Sequence, residues 1–320
     1  MREIRGLSFE HNKRLRYAIE CGYLDGYGED PRAWRHTFVG TFLWKHPDRV
    51  VMINTLKDML GHEPQWEDMT DENVKDLVDE LMEGNRTQSS VRTMCAELRA
   101  VLNANKRKVR SEDFNDTLSI KPQATRNVYL TEEEIGRIKE YVPRTDGEEY
   151  VQRNFLVCAL TGARLVDAVR MTINNCNIET GMLSYIPKKT PGIVVNVPVD
   201  ERRGLRVLLS KRRLTPVILP SYNRLIRDIC KRVGIGESSQ ATRNGQEVTR
   251  PKWQLVSSHT ARRSFATNLY LAGVSIEDIA LMMGHGKNIE TTKRYLCAER
   301  QLMPSVMAYF QPQSLKEDDS

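Results

Sequence analysis

Apolar positions along the chain follow two rhythms, a helical one that dominates and a short alternating one near the middle. From Thr70, the residues Val74, Leu77, Val78, Leu81 and Met82 recur at helical spacing behind a Thr N-cap, on a segment rich in Asp and Glu. An amphipathic helix with an acidic outer face is predicted there. A second helix is predicted from about Ser90 to Lys108: Val91, Cys95, Leu98 and Leu102 form its stripe, and Arg92, Arg99, Lys106, Arg107, Lys108 and Arg110 cover the rest. Helical period is lost between Ser111 and Asn127, where Pro122 falls, which marks a linker. Thr131 followed by Glu134 is a capping box that opens the next helix. A helix ending near Thr161-Gly162 comes after it. Val and Ile enrichment over Met182–Ile186 and Ile193–Val199, around a Lys-Lys-Thr-Pro-Gly turn, predicts a strand pair. Helices are expected over Leu225–Val233, Ala261–Ala272 and Ile276–Met283. Residues 1–30 show no sustained period and are assigned no element.

A chain of 320 residues with 40% hydrophobic content is long enough for two cores. The expected organisation is a helical domain over 31–112, a linker over 113–127, a second domain over 128–310 and a disordered acidic tail over 311–320. Net charge is +6, from 48 basic and 42 acidic residues, which permits a nucleic-acid partner without requiring one. The N-terminus is too polar for a signal peptide and no run has the length of a membrane helix, so a soluble, cytoplasmic protein with no membrane partner is expected. The six cysteines are scattered singly, without zinc-site spacing, and are read as reduced thiols with no metal.

Four short motifs occupy the second domain: Thr161-Gly162-Ala163-Arg164, Ser258-His259-Thr260-Ala261-Arg262, Met283-Gly284-His285, and Thr291-Thr292-Lys293-Arg294-Tyr295. Each alone is common and has a bland reading: a helix-end arginine, a core histidine, a half-buried tyrosine. In this order, with a hairpin lysine between the first and second, they resemble the tyrosine recombinase family. The stretch from His259 to Leu296 looks like the corresponding block of mobile-element integrases. Two departures stand out: His285 and Tyr295 are one residue further apart than is commonest in the family, and Ala163 and Val166 replace more usual residues.

The resemblance implies a mainly α fold with a small antiparallel β-sheet, in which a helical, SAM-like core-binding domain and the catalytic domain close on DNA as a C-shaped clamp. It also implies site-specific cutting and rejoining of duplex DNA through a 3′-phosphotyrosyl intermediate, with no cofactor. Tyr295 would be the nucleophile. Arg164 and Arg262 would hold the nonbridging phosphate oxygens, a task suited to planar guanidinium forks. His259 would act as hydrogen-bond donor or general base, sharing a helix face with Arg262 at i and i+3. His285 would be a second donor to the phosphate, and Lys189, with Lys188 close behind, would protonate the leaving oxygen. Asp167 would brace the arginine and histidine. Arg92, Arg99, Lys106, Arg107, Lys108, Arg202 and Arg203, with Arg206, Lys211, Arg212 and Arg213, would track phosphates. The expected partners are recombination-site duplexes, a homodimer on one site, a homotetramer in the synaptic complex, and accessory DNA-bending proteins. Residues 301–310 would dock into a neighbouring protomer. A bacterial, nucleoid-associated location follows from the same resemblance. A type IB topoisomerase, a catalytically silent DNA-binding regulator and an RNA-binding helical protein are the competing readings.

Overall fold

A computed structural model describes residues 17–21, 31–84, 86–201, 203–211 and 214–297. Arg202, Arg212, Arg213, the 301–310 segment, the acidic tail and most of residues 1–30 lie outside the described residues. The chain divides into two compact units between Ala124 and Thr125.

The first unit is helical: α1 (Pro31–His36), α2 (Phe38–Lys45), α3 (Val50–Leu60), α4 (Asp71–Glu83), α5 (Gln88–Ala104) and α6 (Phe114–Thr117). The Thr70 hydroxyl caps α4 by accepting from the Asn73 amide at 3.2 Å, and Val74, Leu77 and Leu81 are buried as their spacing requires. In α5 the stripe Val91, Cys95, Leu98 and Leu102 is buried against Phe38, Phe42, Met52 and Ile53. This helix stops at Ala104, and Lys106–Lys108 form a separate 3-10 turn. The stretch expected to be a linker begins with α6, whose Phe114, together with Leu118, is buried in this core. An isolated turn of four residues shows no period, so periodicity could not reveal its packing.

The second unit contains α7 (Glu132–Glu140), α8 (Asp146–Thr161), α9 (Leu165–Ala168), β1 (Cys176–Asn177), β2 (Met182–Tyr185), β3 (Val195–Pro198), α10 (Leu205–Ser210), α11 (Leu219–Arg232), β4 (Ser238–Arg243), β5 (Gln246–Pro251), α12 (Lys252–Leu255), α13 (Ser258–Leu271), α14 (Ile276–Met282) and α15 (Ile289–Lys293). Both arms of the Thr131/Glu134 capping box form, and the buried Glu134 carboxylate also receives the Lys252 ammonium at 2.7 Å. Helix α8 is the axis of this unit, buried on all sides from Tyr150 to Thr161. Gln152 and Arg153 can be buried there because their side chains donate to carbonyls of Ile138, Ala168 and Met171.

Strands β1, β2 and β3 form an antiparallel sheet in that order, with Leu183 opposite Val197 and Tyr185 opposite Val195. These four side chains face the core. The pair is shorter than expected, because Ile186, Ile193 and Val194 leave the ladder and stand exposed in the turn. A second antiparallel pair, β4 and β5, was not anticipated from the sequence. It turns at Asn244-Gly245, both with positive φ (50° and 78°), the requirement of a two-residue type I′ hairpin.

Candidate active site

Helix α8 ends at Gly162, whose φ of 66° places it in the left-handed region. A Cβ there would lie 2.5 Å from the Phe265 ring, so glycine is needed both for the turn and for the approach of α13. The turn presents Arg164 as the N-cap residue of α9, half-buried, and among the described residues nothing hydrogen bonds its guanidinium. Across the turn, Arg262 rises from the second turn of α13 with 1% exposure. Its Nη1 donates to the Gly162 carbonyl, its Nη2 donates to the Met283 carbonyl at 2.6 Å, and its Nε has no partner among the described residues. Burial, with Arg164 nearby, depresses the pKa of Arg262, yet a guanidinium starts so high that it stays charged.

Helices α14 and α15 bring in the last two motifs. The Arg262 Nη2 lies 2.7 Å from His285 Nε2, and His285 Nδ1 lies 2.9 Å from the Thr292 hydroxyl. The His285 ring stacks on Tyr295 at 5.4 Å between centroids, while the Arg262 guanidinium carbon sits 5.1 Å from the centre of the same tyrosine ring. Burial, reinforced by Arg262 and Arg164, pushes the His285 pKa down to about 4, so the ring is neutral near pH 7. The backbone of Tyr295 is held from behind. The Thr267 hydroxyl donates to its carbonyl at 3.4 Å and accepts from the Cys297 amide at 3.1 Å. His259 opens α13 on the solvent side; desolvation by its surroundings, then Arg263, Arg262 and Arg164, lower its pKa as well. Between His285 and Tyr295, Gly286 turns with φ 56°, in the left-handed region.

The hairpin lysines make no contact with these groups among the described residues. Lys188 and Lys189 are exposed on the β2–β3 turn, and neither ammonium has a partner among the described residues. Asp167, expected to brace the arginine and histidine, makes other bonds. Its Oδ1 accepts from Arg170 at 2.7 Å and from the Lys188 amide at 2.8 Å, so the carboxylate, 2% exposed, ties the base of the turn to α9.

The expected phosphate-tracking residues divide into two groups. Arg92, Lys106 and Arg107 are exposed, and Arg99 is half-buried. Lys108 instead leans over the Trp66 ring at 5.1 Å, near the His36 carbonyl. Arg203 is bound by Glu132 and Asp200, both at 2.9 Å, Arg206 by Glu201 at 2.6 Å and Lys211 by Glu149 at 3.2 Å. These three side chains are ion-paired within the fold. Another basic group gathers around Arg243 of the unanticipated hairpin, whose pKa is lowered by desolvation and then by Arg227 of α11, Arg263 of α13 and Arg250 of β5. Arg227 and Arg243 donate to the Val256 and Leu255 carbonyls, just ahead of His259. The sequence signal for this group was the Asn-Gly turn between two Arg-bearing stretches. Among the described residues no set of three His, Cys, Asp or Glu could hold a metal ion, and no helix is long and apolar enough to cross a membrane.

The fold has counterparts among solved structures. The Tn1549 transposon integrase in complex with a circular intermediate DNA aligns over 94% of this chain and 98% of its own, with 14% identity and a TM-score of 0.58. A lambda integrase dimer bound to a core site aligns over 92% and 97%, at 15% identity and TM-score 0.55. The XerH site-specific recombinase bound to its difH substrate aligns over 71% and 68%, at 15% and 0.52. No curated protein matches the sequence. The family model described as the phage integrase family matches residues 128–301, the whole span from the first helix of the second unit through Tyr295. With that match across more than half of the chain, this protein belongs to the phage integrase family, the tyrosine-type site-specific recombinases.

Proposed function

We propose that this protein cuts and rejoins duplex DNA at specific sites, with Tyr295 as nucleophile, in the integration and excision of a mobile element. The observation that carries the reading is the setting of Tyr295, its ring flanked by a buried, permanently charged guanidinium and a neutral imidazole. A phenol titrates near 10, so it attacks at neutral pH only where its anion is stabilised or its proton is taken. Arg262 supplies the stabilisation, and His259, kept neutral by its surroundings, is a base able to accept the proton.

In the proposed step the Tyr295 oxygen bonds to phosphorus while the bond to the 5′ oxygen breaks. Arg164, whose donors are unengaged among the described residues, and Arg262 bind the two nonbridging oxygens as negative charge develops on them. The leaving 5′ oxygen takes its proton from Lys189, or from Lys188 beside it. Asp167 holds the turn that carries both lysines. The phosphotyrosyl bond conserves the energy for rejoining, so the cycle as proposed draws on no cofactor. Outside the chemistry, Arg227, Arg243, Arg250 and Arg263 in the second unit, and Arg92, Arg99, Lys106 and Arg107 in the first, would contact backbone phosphates and set affinity more than sequence choice. The two units would close on the duplex as a clamp, one dimer per site and a tetramer at synapsis, with accessory bending proteins. The lambda integrase dimer on a core site supports that assembly. A cytoplasmic, nucleoid-associated location goes with that substrate.

The experiment is a suicide-substrate trap: nicked duplexes carrying a candidate site are incubated with wild type and Tyr295→Phe, and covalent protein–DNA adducts are resolved on a denaturing gel. An adduct formed by wild type and lost in Tyr295→Phe is expected. Binding of a verified site with no adduct would make the protein a silent DNA-binding regulator instead.

A further inference from the structure

The His285 ring has a partner on every side that can carry one. Nε2 lies 2.7 Å from Arg262 Nη2, Nδ1 lies 2.9 Å from Thr292 Oγ1, and the face lies on Tyr295. A guanidinium carries N–H bonds and no lone pair, so at that distance Nε2 must accept. The ring is neutral and has a single proton, which therefore sits on Nδ1 and is donated to Thr292. In this state His285 has no N–H to offer a phosphate, although the family resemblance gives it that task. The conflict is resolved by the chemistry of its other partner. A hydroxyl is donor and acceptor alike and can reverse its hydrogen bond by rotating one hydrogen, with no heavy atom moving. Thr292 is fully buried on α15, three residues before Tyr295, and its hydroxyl faces Nδ1.

We propose that Thr292 is a positioning residue that serves both tautomers of His285: its hydroxyl accepts from Nδ1 while Arg262 occupies Nε2, and once Arg262 turns to the scissile phosphate, Nε2 takes a proton from water, Nδ1 releases its own to water, and the rotated hydroxyl donates to Nδ1 while the new Nε2 proton is presented to the phosphate. The inference rests on the reading of this cluster as a phosphate site. It makes His285 a group switched by its neighbours, with the resting enzyme holding Arg262 and His285 bonded to each other.

The test combines a spectroscopic measurement on the free protein with a kinetic one. In protein carrying ¹⁵N-labelled histidine, a two-bond nitrogen–proton correlation distinguishes the tautomers, and His285→Gln assigns the signal among the six histidines. Wild type and Thr292→Ser should show the Nδ1–H form of His285 at neutral pH, and so should Thr292→Val, in which Arg262 still occupies Nε2. In single-turnover adduct formation Thr292→Val should be about tenfold slow, the effect of one lost hydrogen bond, with Thr292→Ser near wild type and duplex binding unchanged in both. An Nε2–H form in the wild type would overturn the proposal. So would wild-type cleavage by Thr292→Val, or a serine variant that melts normally and still cleaves as slowly as the valine one. Since the tautomer is read without DNA, failure of the wild type to form any adduct would count against the proposed reaction and leave the tautomer assignment intact.

Discussion

Replacing Gly162 by alanine should damage stability and cleavage together, and the two parts of its cost can be separated. The residue sits at φ +66°, where an L side chain costs about 1–2 kcal/mol. The new Cβ would also lie 2.5 and 2.7 Å from two carbons of the Phe265 ring, which is itself packed in the core, and overpacking of that kind costs about 1–3 kcal/mol. The sum, about 2–5 kcal/mol, is a large fraction of a domain's stability. Gly181 provides the control: its φ is +65°, yet a Cβ there meets nothing within 4 Å, so Gly181→Ala should show the backbone part alone, about 1–2 kcal/mol. Urea unfolding read by pulsed hydrogen exchange on peptides from α8 and α13 would report the second unit specifically. Because the Gly162 carbonyl accepts from Arg262, the variant should also form adduct more slowly under conditions where it remains folded. If Gly162→Ala and Gly181→Ala lose equal stability, the Phe265 contact does not constrain this corner and glycine is needed there for its dihedral angle alone.

Lys252→Met should cost about 3–5 kcal/mol by stranding the buried Glu134 carboxylate, and Glu134→Gln added to it should recover most of the loss in thermal melting; an additive double variant would contradict this. Acidification offers another check. With His285 near 4 folded and near 6.5 unfolded, both states are neutral above pH 6.5, and below it the unfolded chain takes the proton first. Stability is therefore withdrawn between pH 6.5 and 4, by up to about 2 kcal/mol after allowance for solvent screening, and His285→Gln should lose less than wild type between pH 7.5 and 5. Thr267→Val should slow adduct formation about tenfold with duplex binding intact, because the carbonyl of Tyr295 and the amide of Cys297 lose their shared partner; an unchanged rate would mean that the turn after α15 holds the nucleophile without this hydroxyl.

How much of this was legible in the sequence depended on whether a feature had a local cause. The caps at Thr70 and Thr131, the turn at Gly162 and the buried face of β2 and β3 are each dictated by residues within a few positions, and the chain states them openly. The four motifs were legible as an ordered set. What escaped required knowing which distant segments meet. The hairpin of β4 and β5 is polar along both strands, so it carries no alternation, and Asn244-Gly245 was its only clear sign. Phe114 and Leu118 lacked a helix long enough to reveal their face. Which acids pair with Arg203, Arg206 and Lys211 depended on how the segments carrying Glu132, Asp200, Glu201 and Glu149 meet them, and the partners of Asp167 depended on where the β2–β3 turn came to rest.

The Thr267 hydroxyl grips the chain on both sides of Leu296, and this gives the nucleophile a mechanical independence. A pull on the polypeptide beyond Cys297 reaches that clamp before it reaches the phenol, much as a cable gland protects a terminal from its lead. A displacement of the chain past Cys297 therefore acts on Tyr295 through these two hydrogen bonds first.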